Sequence, residues 1–254
     1  MSYQIARYGW LPDLPDQRDH FYAAPMKVAE ALPSKVDLRP KCPPVYNQGE
    51  LGSCTANAIA GAVEFDRMKQ KLAQVFTPSR LFIYYNERAI EHTINSDSGA
   101  QIRDGIKSVG KQGDCPETEW PYLISRFKSK PPTKCYADAL AYRAVSYQRL
   151  TPILGQLKGC LASGFPFVFG FTVYQSFESA TVARTGHVPL PKSREVAIGG
   201  HAVMAAGYSD ARRWFLVRNS WGEAWGMDGY FTLPYAYISN LNLASDFWTI
   251  RVVQ

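Results

Sequence analysis

Apolar residues recur with helical spacing up to about residue 145, and strand-like runs take over beyond it. In the first half, "PSRLFIYYNERAIEH" and "QIRDGIKSVGKQG" read as helices, the second carrying Ile102, Ile106 and Val109 at i, i+4 and i+7. A further helix follows "NQGELGSC", where Ala58, Ala62 and Phe65, with Ile59 and Val63, mark one face. In the second half "FPFVFGFTV", "HAVMAAGY", "WFLVRNSW" and "GYFTL" are short β-rich runs. Helices and strands segregated in this way predict an α+β chain of two lobes, 32–144 and 145–254. At 254 residues the chain can bury a substantial core in that form. Residues 1–31 are rich in Pro, Asp and aromatics, have no period, and read as an extended N-terminal segment.

Composition narrows the functions open to such a chain. Net charge is +6, but Lys and Arg are scattered, which reads as solvated surface and gives no nucleic-acid partner. The N-terminus lacks a basic start followed by an apolar core, so no secretory signal is read. The most apolar stretch, "GFPFVFGFTVY", is too short and too broken by Gly and Pro to span a bilayer. Five widely spread cysteines without a CxxC pair give neither a disulfide scaffold nor a structural zinc site. The expected compartment is the cytoplasm, with non-classical export left open.

Cys54 closes a turn containing Gly49 and Gly52 and opens a helix. Exposed N–H groups and the macrodipole favour a thiolate there, though a small buried core residue fits the local context equally well. A nucleophilic cysteine needs a base, and of the four histidines only His201 opens a strand. A hairpin centred near Asp210 makes facing residue numbers sum to about 420, which sets Asn219 opposite His201. An amide so placed fixes the tautomer and orientation of the imidazole; an ordinary polar pair at a strand end is the plainer alternative. Gln48, across the glycine turn, can fold its amide back beside the Cys54 N–H as a two-donor oxyanion site. Trp221 can lie over the histidine–asparagine contact and exclude water.

These blocks resemble the papain family of cysteine peptidases, in its bacterial branch. "NQGELGSC" is similar to the family's N-Q-G-x-C-G-S-C segment, "GGHAVMAAGY" to its histidine strand, and "RNSWGEAWGMDGYF" to its N-S-W-G-x-x-W-G run. "LPSKVDLRP" resembles the start of the mature enzymes, so the likeness runs from about Leu32 to the C-terminus. It implies a helical lobe and an antiparallel β-barrel-like lobe with the active site between them. It also implies Cys54 as nucleophile, His201 as general acid/base, Asn219 as orienting residue and Gln48 as oxyanion donor. The expected resting pair is a Cys54 thiolate with a His201 imidazolium. The implied substrate is a protein or peptide, and the chemistry requires no metal or organic cofactor.

Departures from the pattern carry their own expectations. Leu51 stands where the family usually has a second cysteine, and Thr55 replaces the aromatic residue that commonly follows the nucleophile. Gly200 precedes His201 where many members carry Asp, and "NSDSGAQ" replaces the family's C-N-G-G segment, leaving Ser98 and Gly99 as candidate substrate-wall residues with Gly200 and Trp221. Cys115 and Cys135 read either as a pair or as two free thiols. Residues 1–31 are too few for the family's helical pro-region. They are expected to run over the surface and cover part of the cleft, anchored by Trp10, Phe21 and Tyr22, or simply to pack on a lobe. Besides a peptidase, an acyl transferase or deconjugating hydrolase and an idle binding protein share this residue set.

Overall fold

A computed structural model of the chain describes residues 8–254. Its helices are α1 (Met26–Glu30), α2 (Cys54–Gln70), α3 (Arg80–Ile90), α4 (Ile102–Gln112), α5 (Thr133–Ala139), α6 (Leu154–Ala162), α7 (Ala180–Thr185) and α8 (Tyr235–Ile238). Its strands are β1 (Trp10–Leu11), β2 (Lys35–Asp37), β3 (Ala100–Gln101), β4 (Ala144–Arg149), β5 (Phe167–Tyr174), β6 (Ala197–Ser209), β7 (Trp214–Arg218), β8 (Tyr230–Pro234) and β9 (Ala244–Val253). The three helices read from apolar spacing are α2, α3 and α4. The cysteine helix α2 is buried from Cys54 to Arg67, which small residues such as Ala56, Ala58, Ala60 and Gly61 permit by letting neighbours approach on every side. Ser79 caps α3 by accepting the Phe82 N–H at 3.2 Å, and Gly113 ends α4 at a φ of +79° that a side chain would oppose.

Seven strands form one antiparallel sheet in the order β4-β9-β5-β6-β7-β8, with β2 added to the far end of β6. This is the antiparallel strand-rich lobe that the resemblance implies, and its sheet stays open: among the described residues β4 and β8 do not pair. Other chain covers both edges instead. Phe21 bridges to Arg149 on β4, and His187 bridges to Thr232 on β8. The interior strand β9 went unread because Asp246 and Arg251 interrupt its apolar run. It lies between the edge strand β4 and β5, so the C-terminal strand is paired on both sides.

Among the described residues two apolar clusters form the core. One packs Phe167, Phe169, Phe171, Phe215, Phe231 and Phe247 within the strand-rich half. The other joins Ile59, Val63, Phe82 and Ile106 of the helices to Val168, Met204, Trp248 and Ile250 of the sheet. That second cluster fixes α2 against β6, and so sets Cys54 beside the strand that carries His201.

Candidate active site

Cys54 is the first residue of α2, held there by neutral hydrogen bonds. Asn57 Nδ2 donates to the Ser53 carbonyl at 2.9 Å, and the Ser53 hydroxyl lies 2.5 Å from that of Tyr122. The preceding turn is fixed by Asp97, whose carboxylate accepts the Gly52 N–H at 3.1 Å. The Cys54 sulfur lies against β6, where the Ala202 N–H approaches it at 3.4 Å. Next along that strand, His201 Nε2 is 2.8 Å from Asn219 Oδ1. An amide oxygen accepts, so Nε2 carries the proton and Nδ1 of the neutral ring is left as a base. That Nδ1 is buried with no hydrogen-bond partner among the described residues. Trp221 covers the contact, its ring 5.1 Å from the imidazole and inclined by 31°.

The route by which Asn219 reaches His201 differs from the expected one. Facing residues of β6 and β7 sum to 422 at Met204–Arg218 and to 423 at Gly207–Leu216, a bulge separating the two registers. Asn219 lies beyond the end of β7 and arrives from a diagonal position, while Trp221 comes level with the histidine. Gln48 is fully buried: its Nε2 donates to the Leu51 carbonyl at 2.9 Å and its Oε1 accepts from Ser220 at 2.6 Å. Tyr122 donates to the Gln48 carbonyl at 2.9 Å, so one tyrosine braces both Ser53 and Gln48. Behind the cysteine, the Thr55 hydroxyl donates to the buried Glu87 at 2.6 Å, a polar contact where the family's aromatic residue would pack.

The N-terminal segment lies directly over these residues. Tyr8 packs beside His201 and Trp221, with ring centroids at 6.0 and 6.4 Å. Gly9 crosses the turn before Cys54 so closely that a β-carbon on it would come 1.7 Å from the Gly52 carbonyl oxygen. The Gly9 backbone lies near enough to the Cys54 sulfur to favour its thiolate slightly, and the Gly9 carbonyl accepts the Ala100 N–H at 2.8 Å. Trp10 is buried against Gly170 and Gly200, donating its Nε1–H to Asp246 at 3.2 Å, and β1 pairs in parallel with β3. Tyr22 is buried, whereas Phe21 is 58% exposed. Trp10 and Tyr22 therefore anchor the strap as expected and Phe21 does not. Residues 1–7 lie outside the described residues.

Beyond Trp10 the strap is held by charge. Asp19 pairs with Arg103 at 2.6 Å and with Arg149 at 2.9 Å, and Arg149 also pairs with Asp246 at 2.9 Å. Asp13 accepts from the Trp248 Nε1–H at 2.9 Å and from the Arg103 N–H at 3.0 Å. Three carboxylates share two guanidinium groups. Burial, with Asp246 close by, accordingly pushes the Asp13 carboxyl up to about 6.

With the strap in place, Cys54 and His201 are both fully buried. Burial pushes the Cys54 thiol up to about 12 and pulls His201 down to about 4. The thiolate–imidazolium pair expected from the sequence is thus opposed in this covered state, because either charge would be desolvated. Of the candidate wall residues, Gly99 and Gly200 line the strap's path, Gly99 meeting Gly9 and Gly200 meeting Trp10. Ser98 turns its hydroxyl to the Gly99 carbonyl at 3.1 Å. The sequence reading missed Gly170 and Asp246. An isolated glycine inside the run "FVFGFTV" was the available signal for a close approach, and Asp246 carried none. Cys115 and Cys135 are both free thiols.

A family model described as papain family cysteine protease matches residues 32–247. The chain belongs to the papain family of cysteine peptidases. It is 49% identical to xylellain, a cysteine protease from Xylella fastidiosa, whose crystal structure superposes with a TM-score of 0.93 over 97% of this chain and 96% of that one. It is 44% identical to an uncharacterized peptidase C1-like protein of Acanthamoeba polyphaga mimivirus, across 97% of this chain and 87% of the relative. Cathepsin B-like CP3 of Giardia intestinalis is 31% identical over 81% of this chain and 70% of its own. The matched family region begins at Leu32, so the strap precedes it.

Proposed function

We propose that this papain-family peptidase cleaves protein or peptide substrates through Cys54 and His201, and that residues 8–31 hold it latent. The observation that carries the reading is the convergence of three buried groups: the Cys54 sulfur on the Ala202 N–H, His201 one residue away, and Asn219 on its Nε2. Once the strap leaves, water returns to the sulfur and the imidazole, and the cost of charging them falls. The thiolate attacks a peptide carbonyl, and the oxyanion is stabilised by the Cys54 N–H and the Gln48 amide. His201 gives its proton to the departing amine and then takes one from water to hydrolyse the thioester.

The strap's own geometry supports latency without self-cleavage. The Gly9 carbonyl is occupied by the Ala100 N–H, so it is not free to turn into an oxyanion site beside Gln48. Direction matters as well. Tyr8 lies on the His201 and Trp221 side, where the leaving amine collects its proton, and Trp10 lies on the other. A substrate runs acyl side first, so the strap crosses the cleft in the opposite sense.

The test is hydrolysis of casein by the full-length chain, by Trp10→Ala and by Trp10→Ala/Cys54→Ala. Trp10→Ala should exceed wild type by roughly tenfold or more, from the loss of one buried anchor. The double variant should be inactive. Equal rates for wild type and Trp10→Ala, with the strap still folded, would remove the latency reading. Activity that survives Cys54→Ala would remove the nucleophile.

A further inference from the structure

We propose that Cys115, Glu119 and Cys135 form a zinc site, remote from Cys54, that clamps the segment bracing Gln48. The inference stands apart from the peptidase reading, since no step of that chemistry passes through these three residues.

The ligand atoms already converge. The two sulfurs and a Glu119 carboxylate oxygen all lie within 4.8 Å of one another. A tetrahedral zinc holding two sulfurs and an oxygen sets them about 3.6–3.8 Å apart, so shifts of about an ångström close the set. Both sulfurs are carried on backbone that other contacts fix. The Cys115 carbonyl accepts the Ser79 N–H at 2.8 Å, and the neighbouring Asp114 is buried against Arg67 at 2.8 Å. Cys135 lies on α5, where Tyr136 donates to Asn86 Oδ1 at 3.0 Å and packs 4.8 Å from the Phe82 ring of α3. No CxxC pair announces the site in the sequence, because the two sulfurs meet only when α5 docks.

The donor set decides the ligand. Two buried thiols can instead join as a disulfide, but that would use the sulfurs alone. Glu119 Oε2 is buried with no hydrogen-bond partner among the described residues, a costly state that a bound cation would end. Two thiolates and a carboxylate suit zinc, whereas magnesium and calcium take oxygen ligands. Each thiol gives its proton to solvent as its sulfur takes the metal. Zinc then meets three negative charges and leaves one over, and Lys134 answers it with Nζ 3.5 Å from Glu119 Oε1. The Glu119 side chain is 27% exposed, which admits a water to the fourth position.

The clamp acts through the chain between the ligands. There the Trp120 carbonyl accepts the Ser79 hydroxyl at 2.7 Å, and Glu117 pairs with Arg80 at 2.6 Å. The Arg80 guanidinium in turn lies 4.0 Å from the centre of the Tyr122 ring. Tyr122 braces Ser53 and Gln48, so zinc fixes both ends of the segment that supports them.

The experiment titrates zinc chloride into full-length Cys54→Ala kept reduced by a phosphine, the substitution removing the sulfur beside His201 as a competing ligand. Calorimetry should give one zinc per chain, and cobalt chloride in its place should give the near-ultraviolet charge-transfer band of cobalt–thiolate bonds. Zinc at about 100 times its dissociation constant should raise the unfolding midpoint by about 5–10 °C. Amide hydrogen exchange across residues 115–122 should slow by about tenfold or more. Adding Glu119→Gln should weaken zinc by about tenfold or more while the cobalt–thiolate band persists. Adding Cys115→Ser and Cys135→Ser together should abolish the band, and Glu119→Gln keeps the test decisive where the serine variant fails to fold. No zinc binding, an affinity unmoved by Glu119→Gln, a band that survives loss of both cysteines, or unchanged exchange across 115–122 would each overturn the inference. Loss of two hydrogens on mild oxidation, from a reduced protein that takes no zinc, would replace it with a disulfide. None of these readings uses casein, so failure of the peptidase reading leaves them intact.

Discussion

Cys54 is enclosed by two kinds of wall. The wall belonging to α2 and the strand ends is built of short neutral contacts: Gln48 on Ser220 and Leu51, Ser53 on Tyr122, Asn57 on Ser53. The strap is fastened mainly by Asp13, Asp19, Arg103, Arg149 and Asp246, with Trp10 as its apolar anchor. The difference follows from what each must do. A neutral hydrogen bond buried for the life of the protein costs more to break than to keep, because its groups are left unpaired. A charged contact loses much of its penalty on opening, since water takes up both ions. The permanent wall thus rests chiefly on amides and hydroxyls, with the Asp97 and Glu87 carboxyl groups accepting from neutral donors, whereas the strap is fastened by ion pairs.

Changes in the permanent wall should lower catalysis, and changes in the strap should raise it. The largest effect is expected at the oxyanion site. Gln48→Ala in the Trp10→Ala background should reduce kcat roughly 10²–10³-fold with little change in KM, as measured on a fluorogenic peptide. A loss confined to KM would place Gln48 in binding alone.

The strap should also respond to pH. Asp13 has its carboxyl raised to about 6 when docked, against an ordinary value of 3.8 when released. A raised group stabilises the docked state below the released value and loses that contribution as pH climbs through the docked one. Asp13 therefore favours latency below about pH 4 and gives up its share by about pH 6, up to about 100-fold in the docked-to-released ratio. His201, pulled down to about 4, acts in the opposite direction and loses its share as pH falls from about 6.5 to 4. The ratio of wild-type to Asp13→Asn latent activity isolates the first group. It should be flat below pH 4 and change between pH 4 and 6; a ratio constant throughout would remove Asp13 from the latch.

The smallest effect is expected where an ion pair belongs to neither wall. Arg39 and Asp37 pair at 2.7 Å but are 42% and 25% exposed. Arg39→Ala should shift stability by about 1 kcal/mol or less in chemical denaturation and leave latency unchanged. A large change in latency would mean that the strap is not fastened by its own cluster alone.

Much of this was legible in the sequence, for a physical reason. Helical spacing marked α2, α3 and α4, and Cys54, His201, Asn219 and Gln48 each stand in local patterns that announce their placement. The precise pairing of β6 with β7 was not legible, because the bulge between Ala205 and Gly207 shifts the register and no local residue declares it. Asp246 was silent for another reason: its partner Trp10 is 236 positions away, so its role exists only once the strap is docked. Trp10 and Tyr22 were readable as anchors because large aromatics in a Pro-rich segment need burial. Phe21, beside Tyr22 in sequence, points outward because neighbouring residues of an extended chain face opposite ways.

The most direct test of the two-wall account is the rate at which iodoacetamide alkylates Cys54 in the folded full-length chain, read by mass spectrometry of its peptide. Wild type should react slowly at pH 7, since the thiol is buried and held protonated, and Trp10→Ala should react at least tenfold faster. Equal rates, fast or slow, would contradict the claim that the strap keeps Cys54 covered.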